Sequence, residues 1–267
     1  VNGRAAPRRT PLREGDRIVV DGRSRPEPSE RVVVTLPAGI PASPQRSLAR
    51  SRRVEVERGR VSGALDLRSA VPVGPFEVPR AVALTFDDGP SRHTRAILET
   101  LRRLRAPPTF FVIGELAERR PELVRRARTY GMAVGNHSYA HPYRPPFGTR
   151  KREEIRREIE RGAAALRALG ASPTLFGPPG GTATEPVLDL ARELGQRVVL
   201  WSVDAENWRR GARAREIAAR VLRDVRPGSI VLLHDSGGDR TQTVRALPAI
   251  VRGIRARDLG LALVDRP

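Results

Sequence analysis

The chain of 267 residues is long enough for one large domain or two modest ones, and 49 basic against 30 acidic residues give it a net charge of +19. It has no cysteine, which excludes a disulfide framework, a thiolate metal site and a cysteine nucleophile. Lys151 is the only lysine, and the arginines are spread over helix faces without interleaved aromatic residues. That pattern argues for a coding bias and against a nucleic-acid partner, and leaves adhesion to an anionic cell wall or membrane surface as the expected use of the charge.

No stretch approaches the roughly 18 to 20 uninterrupted apolar residues of a membrane span, and there is no signal-peptide core. The chain begins at Val1, so it reads as a fragment or mature form whose leader or anchor lies outside it.

Residues 1–75 predict a small β-rich accessory region. Arg17–Val20, Arg31–Leu36, Arg53–Val56 and Ala64–Leu67 read as strands between Gly, Pro and Ser clusters. Val1-Asn2-Gly3 with Leu12–Val20 faintly resembles the closing hairpin of β-grasp and S4-like modules. A linker is expected over Val71–Pro79, kept extended by its prolines.

From Phe76 onward short β-rich runs alternate with amphipathic helices. Ala81–Phe86 predicts a strand and Arg92–Arg105 a helix with Ile97, Leu98, Leu101 and Leu104 on one face. Thr109–Ile113 is the next strand, followed by a helix over Glu115–Tyr130 that stops at Gly131. Ala133–Gly135 is a short strand, and Lys151–Leu169 a helix with Ile155, Ile159, Ala163 and Leu166 at spacings of three and four. Strands follow at Thr174–Phe176, Arg197–Trp201, Ser229–Leu233 and Leu261–Val264, with helices at Glu185–Leu194, Arg213–Val225 and Thr241–Arg257. The alternation predicts a parallel sheet covered by helices. Roughly 190 residues is short for an eightfold barrel of about 250, so a distorted seven-stranded (β/α) barrel fits better.

Three of the four histidines carry a chemical signal. His137 and His141 in Asn136-His137-Ser138-Tyr139-Ala140-His141-Pro142 are four apart, so on a helical turn both imidazoles project from one face toward one ion. Asp88 of Thr85-Phe86-Asp87-Asp88-Gly89-Pro90 can be a third ligand, leaving Asp87 to accept a proton from water. Alone, Asp-Asp-Gly-Pro is an ordinary turn sequence, and paired histidines are often core or solvated side chains. Their order in the chain changes that reading. His93, the fourth histidine, is expected to be structural or solvated.

Five segments, Thr85 to Pro90, His137 to Pro142, Phe176-Gly177-Pro178-Pro179-Gly180-Gly181, Trp201 to Trp208 and Ile230 to Asp235, resemble in the same order the motifs of the polysaccharide deacetylases, the NodB-homology enzymes of carbohydrate esterase family 4. The resemblance spans residues 79–267 and implies the same seven-stranded barrel. It implies a metal-dependent deacetylase hydrolysing N-acetyl groups of amino sugars in a polysaccharide, with peptidoglycan favoured over chitin, acting outside the cytoplasm. Asp88, His137 and His141 would bind one divalent ion, zinc above others. Asp87 would be the general base and His234 the general acid. Gly180, after Pro178 and Pro179, would offer a backbone N–H to the oxyanion, and Leu232 and Trp208 would form an apolar pocket for the acetyl methyl group.

The match departs from the family in three places. Gly177 stands where the family has an arginine paired with the base, Gly180 where it has an aromatic wall, and Asn207 where it has a carboxylate orienting the general acid. Asp204 or Glu206 is expected to compensate for Asn207. A wider cleft is expected, with slow turnover of short chitooligosaccharides, and an arginine restored at 177 is expected to help small substrates. A catalytically silent wall-binding relative is the alternative reading.

Overall fold

The computed structural model describes residues 81–264 throughout and, before them, seven strands. The chain divides into two compact units, Val1–Val78 and Pro79–Pro267.

In the first unit the strands are β1 (Arg8–Pro11), β2 (Ile18–Val19), β3 (Ser29–Leu36), β4 (Pro41–Ser43), β5 (Arg46–Ser47), β6 (Arg52–Gly59) and β7 (Leu65–Pro72). Five of them form a sheet in the order β1-β3-β6-β7-β2, antiparallel at its centre and parallel at both edges, while β4 and β5 form a separate pair. β7 includes Val71 and Pro72, the first two residues of the expected linker, and the remainder of it lies outside the described residues. The expected hairpin at Val1–Gly3 and Leu12–Val20 lies outside the described residues except for Ile18–Val19.

The second unit is a curled parallel sheet. Its strands are β8 (Ala81–Gly89), β9 (Pro108–Val112), β10 (Ala133–Asn136), β11 (Leu175–Phe176), β12 (Arg197–Val198), β13 (Val203–Asp204), β14 (Ile230–His234) and β15 (Gly260–Leu261). Seven follow the order β12-β11-β10-β9-β8-β14-β13, every pair parallel, and β15 pairs with the first two residues of β8. The path does not close between β12 and β13, so the unit is the expected distorted barrel.

Side chains alternate across each strand, and the alternation sorts the core. Ala83, Phe111, Leu175, Val199, Ile230 and Val264 pack together with Trp201 inside the curl. Leu84, Phe86, Phe110, Val112, Val231 and Leu233 point outward under the helices. The helices are α1 (Thr94–Arg103), α2 (Gly114–Arg119), α3 (Pro121–Thr129), α4 (Arg152–Ala168), α5 (Glu185–Glu193), α6 (Ala214–Asp224) and α7 (Thr241–Arg255). α1 buries Ile97, Leu98 and Leu101, as its spacing predicts.

Three predicted elements need correction: the strand expected over Leu261–Val264 ends at Leu261 as β15, and two others differ more deeply. The helix expected over Glu115–Tyr130 is split into α2 and α3 by Pro121, whose ring disfavours helical backbone at Arg120; that residue takes φ −139° and ψ 55°. The strand expected over Arg197–Trp201 ends at Val198, and Val203–Asp204 forms a strand the sequence does not announce. Here the chain crosses the open side of the sheet, and Trp201 turns into the interior instead of continuing a ladder.

Candidate active site

Asp87 and Asp88 lie at the C-terminal end of β8, where successive side chains would ordinarily face opposite ways. A register irregularity against β9 between Phe86 and Gly89, with Asp88 at φ 72°, breaks that alternation. Both carboxylates therefore turn toward one place. Gly89 is required just beyond them, because a Cβ there would lie 2.2 Å from Asp235 Oδ2.

His137 and His141 do not sit on a helix, contrary to the expectation from their spacing. They lie in the loop after β10, brought together by positive φ at Ser138 (63°) and His141 (52°). α4 holds that loop. Glu158 accepts hydrogen bonds from the N–H groups of Tyr139 and Ala140, at 3.1 and 2.8 Å, and Ser138 Oγ accepts from His141 N–H at 3.0 Å. Gly162 of α4 permits the approach, since a Cβ there would meet the Ser138 carbonyl oxygen at 2.7 Å.

The result is a three-residue cluster. Asp88 Oδ1 lies 3.3 Å from His137 Nε2 and 3.2 Å from His141 Nε2, and one ligand atom from each of the three falls within 4.8 Å of the others. His137 Nδ1 donates to the Gly177 carbonyl at 2.6 Å, which leaves the Nε2 lone pair for an ion. Two imidazole nitrogens and a carboxylate oxygen are a donor set suited to a divalent transition metal such as zinc. Two buried polar atoms without a protein hydrogen-bond partner, Asp87 Oδ1 and His141 Nδ1, also lie here.

The electrostatics separate the two carboxylates. Burial, opposed by His137 and reinforced by Asp88 and Asp204, pushes Asp87 up to about 7. Burial acts on Asp88 as well, but the hydrogen bond and charge of His137, with His141 behind it, hold Asp88 below the usual carboxylate range. In the metal-free site the two carboxylates are thus pushed in opposite directions. Asp87 Oδ2 is 3.8 Å from His137 Nε2, farther than Asp88 Oδ1.

His234 ends β14 and is the register partner of Asp87 on β8. Its Nδ1 donates to Asn207 Oδ1 at 2.9 Å, and Asn207 Nδ2 donates in turn to the His234 carbonyl (2.9 Å) and to Thr243 Oγ1 (2.8 Å). Asn207 is therefore the residue that orients the ring. Asp204, expected to compensate, accepts from the Glu206 N–H and the Trp208 indole at 2.7 and 3.2 Å, and reaches His234 only through its charge. Glu206 is engaged by Arg209 and Arg220 at 3.0 and 3.1 Å. Burial lowers the pKa of His234 below its ordinary value.

The remaining predicted residues are placed as follows. Pro179 is buried in the turn Pro179–Gly181, with Gly180 at φ 62° and nothing within 4 Å of where its Cβ would be. Leu232 is buried on the same face of β14 as His234, whereas Trp208 is 49% exposed. Gly177 is pressed by its neighbours: a Cβ would lie 3.0 Å from Phe111 Cγ and 3.2 Å from His137 Nδ1. His93 is outside the cluster, at the start of α1, taking a hydrogen bond from Arg92 and lying 3.4 Å from Asp239.

Three further residues belong to the neighbourhood. Arg240, 4% exposed, donates to the carbonyls of Ser236, Gly237 and Asn207 and places a buried positive charge near Asp88 and His234. It was hidden in the sequence by the abundance of arginine. Asp235 is buried behind the carboxylate pair, bonded by Thr94 and pushed up to about 7 by burial. Tyr143, two residues past His141, lies with its ring centroid 4.4 Å from that of His141. Only its nearness to the second motif could have drawn attention to it.

A parallel barrel with carboxylates and histidines gathered at the C-terminal ends of its strands has the architecture of an α/β-barrel enzyme. The family model for polysaccharide deacetylase matches residues 77–199. A peptidoglycan-N-acetylglucosamine deacetylase of Bacillus cereus is 37% identical over 182 residues, covering 66% of this chain and 84% of that protein. A chitooligosaccharide deacetylase of a Bradyrhizobium species is 37% identical over 198 residues, covering 69% and 89%. The crystal structure of the Bc1960 peptidoglycan N-acetylglucosamine deacetylase, in complex with 4-naphthalen-1-yl-N-oxidanyl-benzamide, superposes with a TM-score of 0.66 at 35% identity, over 71% of this chain and 88% of that one. The chain belongs to the polysaccharide deacetylase family.

Proposed function

We propose that the protein is a metal-dependent deacetylase that hydrolyses N-acetyl groups of amino sugars in peptidoglycan. One observation carries the reading: Asp88 Oδ1 stands 3.3 and 3.2 Å from two imidazole nitrogens, with a second buried carboxylate, Asp87, at its side. Asp88, His137 and His141 would hold zinc, which when bound supplies a Lewis-acidic centre that acidifies water and polarises an acyl oxygen. The Bc1960 relative is described in complex with an N-hydroxybenzamide, a ligand of a chelating class, which is in keeping with a metal-dependent reading.

The chain's own residues do the rest. Asp87 takes a proton from the attacking water as its oxygen adds to the acetamide carbon. The Gly180 N–H faces the oxyanion as a donor independent of the missing side chain. His234, held by Asn207 through Nδ1, presents Nε2 to the nitrogen and protonates it as the C–N bond breaks, releasing acetate and a free amine. Leu232 and Trp208 border the acetyl methyl group. The substrate class and the charge of +19 support action at an anionic cell envelope, outside the cytoplasm.

The test is acetate release from peptidoglycan fragments and chitooligosaccharides by the zinc-loaded full chain. Acetate release supports the assignment. Glycan binding without acetate would instead make the chain a silent wall-binding member of the family.

A further inference from the structure

Among the described residues two large apolar side chains stand exposed, Tyr143 at 66% and Trp208 at 49%. Single exposed apolar residues are ordinary on a protein surface. Tyr143 differs in where it is fixed. Its ring is tilted 58° against that of His141, 4.4 Å away between centroids, and His141 in turn lies 4.6 Å from His137. Its phenol also feels the charges of Asp88, Arg240 and Asp87. An aromatic ring has thus been placed directly on the outer edge of the Asp88, His137 and His141 cluster, with most of its surface left to solvent.

At Gly180 the backbone is left-handed and a side chain would meet nothing within 4 Å, so this residue offers no aromatic surface; the ring beside the turn is that of Trp201, 2.7 Å from where a Cβ on Gly181 would lie. We propose that Tyr143 is a platform on which a pyranose ring of a β-linked, N-acetylated glucosamine-type glycan stacks. The proposal rests on the deacetylase reading of the same site. In such a sugar every ring substituent is equatorial, so each face presents axial C–H bonds of weak positive charge. The face of a phenol ring is weakly negative and attracts them. The hydroxyl adds a donor and an acceptor for a neighbouring sugar hydroxyl. Tyr143 is a specificity-determining residue in this account and takes no part in the proton transfers.

The experiment separates binding from chemistry. Zinc-loaded full chain carrying Asp87→Asn, with and without Tyr143→Ala, Tyr143→Phe or Tyr143→Trp, is titrated calorimetrically with chitotetraose and with soluble peptidoglycan glycan fragments, and the metal content of each protein is measured. Tyr143→Ala is expected to raise Kd about tenfold at unchanged metal content, while Tyr143→Phe and Tyr143→Trp stay within about threefold of the parent. Equal Kd for Tyr143→Ala, a Kd that rises only as metal is lost, or no binding of either glycan by the parent overturns the platform. Acetate release by the otherwise native chain is scored separately. A Tyr143-dependent Kd without acetate release upholds the platform and sinks the catalytic reading, whereas acetate release with a Tyr143-independent Kd does the reverse.

Discussion

Asn207 grips His234 twice: its Oδ1 accepts the imidazole Nδ1–H at 2.9 Å, and its Nδ2 donates to the carbonyl of the same histidine at 2.9 Å. The amide fixes both ring and backbone but carries no charge to favour the imidazolium form, and burial already lowers the proton affinity of His234. Asn207→Asp places a carboxylate against Nδ1 and is expected to move the high-pH limb of the kcat profile upward by about one unit or more. The same change removes the donor to His234 and Thr243, so stability should fall by about 1–3 kcal/mol. A pH–rate profile and a denaturation curve check the two halves, and an unmoved alkaline limb would falsify the acid role of His234.

The cluster of Asp88, His137 and His141, proposed to hold a metal, predicts a sharp division among the four histidines. Loss of a surrounding partner costs metal affinity about 10- to 100-fold, and loss of a ligand should cost more than that. His137→Ala and Asp88→Asn are therefore expected to lose metal on dialysis, while His93→Ala, outside the cluster, keeps it. Elemental analysis of the dialysed proteins decides the matter.

Asp87→Asn tests the separation of the carboxylate pair. Asp87 Oδ2 is the more distant oxygen from His137, and its burial suits a proton acceptor better than a ligand. Activity should drop by about 10²–10⁴-fold with metal content unchanged. Loss of metal comparable to that of Asp88→Asn would reassign the two roles.

Restoring the family's arginine at 177 is now expected to fail. Its Cβ would press on Phe111 at 3.0 Å and on the His137 ring that the Gly177 carbonyl orients. Gly177→Arg should therefore lower kcat/KM and weaken metal retention together. A gain in turnover of chitotetraose would show that the strand end yields more readily than its packing indicates.

Asp235 gives a pH signature. Burial raises it from 3.8 to about 7, so the folded, metal-free protein keeps a proton that the unfolded chain releases above about pH 4. Stability is fully present below that pH and is lost progressively as pH rises to about 7. At pH 8 Asp235→Asn is expected to recover up to roughly 2–4 kcal/mol of it in chelator-treated protein. Urea unfolding followed by Trp201 and Trp208 fluorescence measures this, and an unchanged pH slope would contradict the buried, protonated state.

Much of this architecture is legible in the sequence because hydrophobic periodicity is local. Ile97, Leu98 and Leu101 mark their helix face, and Ala81 to Phe86 their strand, before any fold is known. Pro121 also carried a readable signal, but the apolar spacing on either side of it concealed the break. The path of Val199 to Ser202 was not legible, since Trp201 leaves the strand to fill the interior for reasons set by distant strands. At the site, motif order marks Asp87, Asp88, His137, His141 and His234, but not the reason the histidines converge. Spacing of four suggested a helix, whereas two left-handed residues and Glu158 of a remote helix do the work. Arg240 and Tyr143 have no motif at all, and their significance arises only from what packs around them.

The pairing of Asp87 with His234 in one register of β8 and β14 means that the proposed base and acid are spaced by a peptide ladder and not by loops. Loops that line the cleft can lengthen, shorten or change side chains without altering the distance a proton relay must span. Gly177, whose carbonyl orients His137, and the histidine loop after β10 lie off that ladder, so changes there leave the spacing of Asp87 and His234 untouched.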